Sequence, residues 1–224
     1  MAWDLALALG NYGNVVMYLG NQETLQRVAE ESHALFSQLE DLWGMALTLC
    51  LIGETHLLKH DYQRARSCFE ESTVSLRKTG DQWAVGVSLM DWGYTESLLG
   101  NMTFARAHLE ESIAVHCSIG ERFVRSLSLN ILAQVVQQQD DAQLAIVYYG
   151  ESLDLLRKMG IESSIADVQY NLACFVHAQG HYQFAKKLYG ECLQIFSKQE
   201  NEAGIAKCQA GLDAIGGGQN RNPS

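Results

Sequence analysis

The chain has 224 residues, of which 47% are apolar, and its 16 basic and 26 acidic side chains give a formal net charge of −10. This charge balance disfavours a nucleic acid partner, because phosphate binding is driven largely by Lys and Arg side chains that displace counterions. No apolar run approaches the ~20 residues that a membrane-spanning helix requires, so we expect neither a membrane segment nor a membrane partner.

Cysteine usage and the N-terminal sequence indicate a cytoplasmic protein. A chain long enough to build its own core does not need disulfides, and no C-x-x-C pair occurs, so we expect buried, reduced thiols. The six cysteines are Cys50, Cys68, Cys117, Cys174, Cys192 and Cys208. The start, M-A-W-D-L-A-L-A-L-G, contains an Asp and no basic segment, so no signal peptide is predicted.

A short segment returns at a fixed interval along the chain. Residues 65–72 read A-R-S-C-F-E-E-S, and residues 105–112 read A-R-A-H-L-E-E-S, forty residues later. The same interval connects the segments that begin at Glu30, Gly150 and Gly190. A fixed period of about 20 to 50 residues indicates one supersecondary unit stacked many times. We therefore predict a single domain over 1–215 with five repeats, at about 3–40, 41–80, 81–120, 121–160 and 161–200.

Each repeat is predicted to begin with a helix. These first helices are Trp3–Leu19, Trp43–Lys59, Trp83–Leu99, Phe123–Gln138 and Ser163–Gln179. Gly13, Gly53 and Gly93 recur at one position inside them, although glycine inside a helix costs about 1 kcal/mol relative to alanine. A close helix contact would compensate for this cost, and we expect the facing residues to be small ones of the second helices, such as Ala65 and Ala105.

A polar turn leads into the second helix of each repeat, where Asn and Asp accept hydrogen bonds from free N–H groups. The predicted N-caps are Asn21, Asp61, Asn101 and Asp141. The second helices are Gln22–Ser37, Tyr62–Lys78, Met102–Cys117, Ala142–Lys158 and Tyr182–Lys198. Gly80, Gly120 and Gly160 follow three of them, and we expect each to adopt the left-handed conformation that ends a helix.

The two ends of the array differ. A helix predicted at 202–215 has no partner helix after it, so we interpret it as a cap over the last repeat. Residues 216–224, G-G-G-Q-N-R-N-P-S, are predicted to form a flexible tail. At the other end, Trp3, Leu5 and Leu7 begin an apolar helix with nothing before it. We expect this edge to form a homodimer or to continue into a longer protein.

The spacing of small and large residues resembles the tetratricopeptide repeat (TPR). The pattern places a small residue near the middle of the first helix and an Ala early in the second. An aromatic residue or Leu follows four residues later, and a small residue three beyond that. It consists of Leu49, Ile52, Gly53, Tyr62, Ala65, Phe69 and Ser72 in the second repeat, of Leu89, Trp92, Gly93, Ala105, Leu109 and Ser112 in the third, and of Leu172, Ala173, Tyr182, Ala185, Tyr189 and Cys192 in the fifth.

The resemblance implies an all-α fold, a right-handed superhelical solenoid of antiparallel helix pairs with five TPR units and a capping helix. Two features depart from the usual pattern, because this repeat is longer than the common ~34 residues and lacks the closing Pro. In length it is similar to the repeats of kinesin light chains and of the sensor regions of bacterial STAND-type transcription activators.

The resemblance also implies a concave groove, lined by the first helices, that receives a peptide or a helix. The groove positions here are Asn11, Asn14, Tyr18, Glu54, Asp91, Tyr94, Asn130, Gln134, Tyr170, Asn171 and His177. Arg125 is the one basic residue in the bodies of the five first helices, so the cations that grip a C-terminal carboxylate in chaperone-binding members are missing. With Glu96 and Asp167 also in the groove, we expect a protein or peptide partner that is neutral or basic, or an amphipathic helix.

Charged side chains of the second helices are predicted to face solvent. Arg27, Arg66, Arg106 and Lys187 each precede a Glu by four residues, a spacing worth a few tenths of a kcal/mol on an exposed helix. An acidic docking stripe is the alternative interpretation of these Glu columns. Cys174 and Cys192, in paired helices of the fifth repeat, are interpreted as small buried residues.

No catalytic or metal site is predicted, and no cofactor is expected. His56 and His60 have the i, i+4 spacing of a metal pair, and so have His177 and His181, but neither pair has an H-E-x-x-H motif or a third ligand. No nucleophile motif or phosphate loop occurs. Three functions remain open: a non-catalytic adaptor that binds a peptide or helix, a sensor segment of a larger STAND-type regulator, and, with the least support, an enzyme.

Overall fold

The computed structural model describes residues 1–219, except for the side chains of Tyr18 and of residues 217–219. It contains eleven helices and no strand within this range. They are Ala2–Tyr18 (α1), Gln22–Gln38 (α2), Leu42–Leu58 (α3), Tyr62–Thr79 (α4), Gln82–Leu98 (α5), Met102–Ser118 (α6), Phe123–Gln138 (α7), Ala142–Met159 (α8), Glu162–Ala178 (α9), Tyr182–Lys198 (α10) and Glu202–Gln219 (α11). The predicted all-α class and helix pairs are confirmed.

Helix α11 continues past the predicted boundary at residue 215. Ile215 is buried, and the helix extends beyond it by about one turn to Gln219. Residues 216–219 therefore belong to the helix, and the remaining part of the predicted tail, 220–224, lies outside the described residues. No helix of the described range combines the length and the apolar character that crossing a membrane requires.

Contacts divide the chain into two compact units, Met1–Val135 and a second one that begins at Val136. The boundary falls within α7. In the first compact unit, buried Leu76, Ala84 and Leu89 form one apolar cluster, against which Trp43 and Trp92 pack. In the second, α9 and α10 form a helix pair and α11 packs on α10.

The chain reverses direction at a left-handed residue every twenty positions. The glycines with positive φ are Gly20, Gly80, Gly100, Gly120, Gly160 and Gly180, and the other residues with positive φ are Glu40, His60, Asp140 and Glu200. The three predicted glycine helix ends are confirmed. Because each reversal follows a helix of 16 to 18 residues, equivalent positions of successive repeats keep the same place on their helices.

Side-chain caps begin most of the helices. Asn21, Asp61 and Asp141 accept hydrogen bonds from the backbone N–H three residues later, as predicted. Asn101 makes no such cap, which corrects its prediction, because its Nδ2 instead donates to Glu96 Oε2 at 2.7 Å. Asp41, which was not predicted as a cap, caps α3 by accepting from the Gly44 N–H at 2.8 Å.

Each of the first three repeats is closed by a buried hydroxyl group that belongs to the recurrent E-E-S segment. Ser32, Ser72 and Ser112 donate to first-helix carbonyl oxygens 26 residues earlier, at 2.6, 2.8 and 2.7 Å. A buried hydroxyl that finds a partner contributes about 1 kcal/mol, whereas one left unpaired is costly. These serines therefore fix the alignment of the two helices in their hairpins.

The recurrent glycines do permit a close helix contact, but the facing residue differs from the prediction. A Cβ at Gly53 would lie 2.8 Å from the Phe69 ring, and one at Gly93 would lie 2.7 Å from Leu109 Cγ. The nearest neighbour is thus the large residue four positions after Ala65 or Ala105. At Gly93 the predicted Ala105 also lies close, with its carbonyl oxygen 3.1 Å from the added Cβ.

Indole groups connect successive repeats in the first compact unit. Trp3 Nε1 donates to Asp41 Oδ2 at 2.8 Å, and Trp43 Nε1 donates to Asp81 Oδ2 at 2.8 Å. The other carboxylate oxygen of each Asp accepts the capping hydrogen bond of the next first helix. One carboxylate therefore both starts a helix and binds the preceding repeat.

Gly160 and Gly150 offer a matched test of the left-handed turn, because a Cβ at either would meet no atom within 4 Å. Gly160 has a φ of +70°, so Gly160→Ala should destabilise the protein by about 1 kcal/mol. Gly150 lies inside α8, so Gly150→Ala should stabilise it by up to about 1 kcal/mol. Urea unfolding followed by circular dichroism measures both, and equal effects would contradict the argument.

The Trp3 to Asp41 link can be tested against Trp83, which occupies the same repeat position and is similarly exposed, 50% against 41%. The Trp83 indole makes no hydrogen bond to any residue that the structure describes. Trp3→Phe should therefore reduce the free energy of unfolding by about 1 kcal/mol more than Trp83→Phe. Equal losses in a urea titration would show that the link adds nothing to stability.

Candidate functional site

A cavity of about 440 Å³ opens between α3 and α5 in the first compact unit. Its wall combines two carboxylates, two tyrosines, a histidine and three leucines. The lining residues are Glu54, Leu57, Leu58, His60, Tyr62, Asp91, Tyr94 and Leu98. We refer to this space as the α3–α5 cavity. It brings together three of the predicted groove residues, Glu54, Asp91 and Tyr94.

The repeat explains why these side chains meet. Glu54 and Tyr94 stand forty residues apart at one repeat position, on first helices that lie side by side. His60 enters the cavity wall from the left-handed turn after α3, and its Nδ1 lies 2.9 Å from the Tyr62 hydroxyl. Tyr62 is the first residue of the second helix α4, so it lies directly after this turn.

Asp91 is a buried carboxylate without a partner. It is 8% exposed, and its side chain makes no hydrogen bond or ion pair with any residue that the structure describes. Burial raises the pKa of Asp91 well above its ordinary value, and the neighbouring Glu54 raises it further. Burial likewise raises the pKa of Glu54 to about 7. The cavity therefore binds protons more readily than exposed carboxylates would.

Glu96, which the sequence analysis placed in the groove, is a structural residue. It is 1% exposed, and its Oε1 accepts from Trp92 Nε1 at 3.1 Å and lies 3.0 Å from Arg66 Nε. Arg66 was predicted to pair with Glu70, four residues later, but it reaches across to α5 instead. A buried carboxylate needs partners of this kind, because an unpaired buried charge is strongly destabilising.

The other three predicted pairs follow the expected spacing. Arg27, Arg106 and Lys187 lie 3.5, 2.8 and 3.8 Å from the Glu four residues later. These pairs are at least partly exposed, as expected for the solvent-facing side of a helix.

The remaining groove predictions fall outside the α3–α5 cavity. Asn11 and Asn14 of α1 are exposed, and the Tyr18 side chain lies outside the described residues. Asn130 and Gln134 of α7 and Tyr170 and Asn171 of α9 are partly exposed and line neither of the two cavities described here.

A shallower pocket of about 500 Å³ lies in the second compact unit and includes the predicted residue His177. It is lined by Cys174, His177, Ala178, Tyr182 and Tyr189. The His177 ring meets Tyr182 and Tyr189 edge-on, with ring centroids 5.7 and 6.2 Å apart. The Tyr189 hydroxyl donates to Cys174 Sγ at 3.4 Å.

The cysteines follow the prediction of buried thiols only in part, since Cys192 and Cys208 are buried. Cys174 is exposed, and so is Cys117, whereas the sequence indicated buried thiols. Cys192 is buried, and its Sγ lies 3.0 Å from that of Cys208 on α11, not next to Cys174. Cys192 replaces the serine of the earlier repeats, and Cys208 occupies the repeat position of Ser128, which lies 3.0 Å from Ser112.

The cavity contains four residues that the sequence did not predict there, Leu58, His60, Tyr62 and Leu98. His60 and Tyr62 were assigned to a turn and to the repeat pattern, and Leu98 to the end of a helix. Of these residues, only Tyr62 could have been predicted from the sequence, because an aromatic residue at the start of a second helix lies next to the preceding turn. His56 lies 4.0 Å from Asp61 Oδ2, and no group of three or more metal-ligating side chains converges within the described residues.

The raised pKa of Glu54 predicts a pH effect on stability. Its folded pKa of about 7 exceeds the ordinary 4.5, so the folded state binds more protons between these values and stability falls as pH rises through them. Glu54→Gln removes this cost and should stabilise the protein at pH 8 by roughly 1 to 3 kcal/mol, with little difference at pH 4.5. Urea titrations at both pH values measure the change.

The exposed Glu70→Gln serves as the control, and its effect should be the same at both pH values. A stabilisation by Glu54→Gln that did not depend on pH would contradict the burial argument. Other titratable groups that line the cavity are His60, Tyr62, Asp91 and Tyr94, so the titration of Asp91 contributes to the same profile.

Similarity to known proteins lies in the fold. No family model matches the chain, and no curated protein matches it. A STAND protein with a TPR sensor from Pyrococcus horikoshii superposes with a TM-score of 0.73 at 16% identity, over 96% of this chain and 33% of that one. A Rap protein complexed with competence and sporulation factor gives 0.72 at 10% identity, over 96% and 64%.

The kinesin-light-chain TPR-like repeats of a Podosopora anserina protein give a TM-score of 0.67 at 16% identity, over 90% of this chain and 98% of theirs. The chain thus spans about one third of the STAND protein and just under two thirds of the Rap protein. All three neighbours and the described helices share the same repeated hairpin. The chain therefore has the fold of TPR-like helical repeat proteins.

Proposed function

We propose that the chain is a non-catalytic interaction module that binds a peptide or a helix of a partner protein on the faces of its first helices. The observation that carries this proposal is the α3–α5 cavity, whose wall joins polar, aromatic and apolar side chains of two first helices. A site on packed helices is already formed before binding, so the main cost is the ordering of the ligand.

The fold comparisons favour this function over others. One neighbour, a Rap protein, is complexed with competence and sporulation factor. Another contains a TPR sensor. At identities of 16% or less, they support a binding function without identifying the partner.

The charges of the site favour a neutral or basic ligand. Glu54 and Asp91 line the α3–α5 cavity, and none of its lining residues is Lys or Arg. An acidic peptide would bring further negative charge next to these carboxylates, which is unfavourable at short range. A basic peptide or the basic face of an amphipathic helix avoids this repulsion.

A second candidate, the sensor segment of a larger STAND-type regulator, is favoured by the similarity to the Pyrococcus horikoshii protein. In that case the same first-helix faces would bind the ligand, and binding would shift an attached ATPase or DNA-binding domain. An enzyme is the least favoured reading, and turnover that disappears on replacement of His56 or His177 would support it.

Selection from a random peptide display library tests the proposal. Selected peptides should contain more Lys and Arg than Asp and Glu. They should bind to one of two variants at least ten-fold more weakly than to the parent chain. The first changes Asn11, Asn14 and Tyr94 to Ala in the first compact unit, and the second changes Asn171 and His177 to Ala in the second. Fluorescence anisotropy measures the affinities.

A variant of the opposite face provides the control. Glu30, Glu70 and Glu151 are exposed second-helix residues, and their replacement by Gln should leave the affinity unchanged. Loss of binding in this variant alone, or selection of mainly acidic peptides, would show that the first-helix faces are not the binding surface.

A further inference from the structure

We propose that the α3–α5 cavity binds one organic monocation on an alkyl stem, seated between Glu54 and Asp91. The inference rests on the proposed function for the source of this cation, which would be the guanidinium or ammonium end of an Arg or Lys side chain in the partner. It extends that function by naming the chemical group and the place where it binds.

Asp91 supplies the first argument. A carboxylate that is 8% exposed normally has hydrogen-bond donors around it, because a buried polar group without a partner costs free energy. Asp91 lines the cavity, and no described residue donates to its carboxylate. A cation that enters the cavity would provide the missing donors through charge-assisted hydrogen bonds.

The contrast with Glu96 shows what a partnered carboxylate looks like in the same fold. Glu96 is also buried, but Arg66 and Trp92 approach one of its oxygens and Asn101 donates to the other. Asp91 on the same helix has none of these partners. The chain therefore satisfies one buried acid internally and leaves the other facing an open cavity.

The rest of the wall suits a cation on an alkyl stem. Leu57, Leu58 and Leu98 offer an apolar surface of the kind along which Lys and Arg bury their methylene groups. Tyr62 and Tyr94 present aromatic rings, which attract guanidinium and ammonium groups at close range. A bare metal ion would use neither feature, and the two carboxylates fall short of the six to eight oxygens that Ca²⁺ usually takes.

The electrostatics point the same way. Burial raises the pKa of both carboxyl groups, and the neighbouring Glu54 raises the pKa of Asp91 further. A bound monocation compensates their negative charge directly. None of the residues that line the cavity is Lys or Arg, so no basic side chain of its wall has to move before the ligand enters.

The direct test uses n-butylguanidinium and its neutral analogue n-butylurea with the intact ¹⁵N-labelled chain. Butylguanidinium should shift the backbone amide signals of Glu54, Leu57 and Tyr94 saturably, and butylurea should bind at least ten-fold more weakly. Asp91→Asn should weaken butylguanidinium binding at least ten-fold. The control Asp154→Asn, an exposed acid of the second helix α8, should not change it.

Glu54→Gln gives a second variant that keeps the test valid if Asp91→Asn fails to fold, which circular dichroism detects. Equal binding of butylguanidinium and butylurea would overturn the inference. Competition by Ca²⁺ at equal concentration would overturn it as well, because it would indicate a metal site.

A peptide experiment separates this inference from the proposed function. The experiment uses a selected peptide that binds the first-helix faces and replaces one of its Arg residues by citrulline. This replacement should weaken binding to the parent chain at least ten-fold, but it should leave binding to the Asp91→Asn variant almost unchanged. If the peptide binds but neither change matters, the inference is wrong and the proposed function stands. If no peptide binds but butylguanidinium does, the cation site stands and its ligand is a free amine or guanidine.

Discussion

The left-handed reversal at every twentieth residue is the constraint on which the other features depend. It makes all helices nearly equal in length, so a residue at a given repeat position meets the same environment forty residues later. Ser32, Ser72 and Ser112 can therefore reach equivalent carbonyl oxygens. The same regularity lets Trp3 and Trp43 bind the capping carboxylates of the following repeats.

The candidate site is built from repeat positions that the regular spacing brings together. The spacing does not determine which residue occupies each of them. Glu54 and Tyr94 occupy one repeat position on adjacent first helices, and the equivalent residues elsewhere are Asn14, Gln134 and Cys174. None of them is needed to close a hairpin, so the side chain is free to vary from one repeat to the next. The hairpins thus keep their packing while neighbouring pairs of first helices present different chemistry.

Local patterns were enough to predict the helices, while contacts between distant residues were not. Glycine, Asn and Asp at the turns define the helix ends within one or two residues, except at Gln219. The errors at Asn101 and Arg66 have one cause, since both residues bind Glu96, which lies on another helix or across a turn. For the site, the sequence predicted Glu54, Asp91 and Tyr94 as separate candidates, but their common cavity depends on side-chain packing.

The placement of the indole groups has a consequence for spectroscopy. All four tryptophans, Trp3, Trp43, Trp83 and Trp92, belong to the first compact unit. Two of them donate to carboxylates of the next repeat, so their emission is sensitive to whether adjacent hairpins remain joined. The second compact unit contains no such fluorophore among its described residues, and the nine tyrosines of the chain are shared between both units. Selective excitation of indole therefore provides an optical signal for one half of the protein alone.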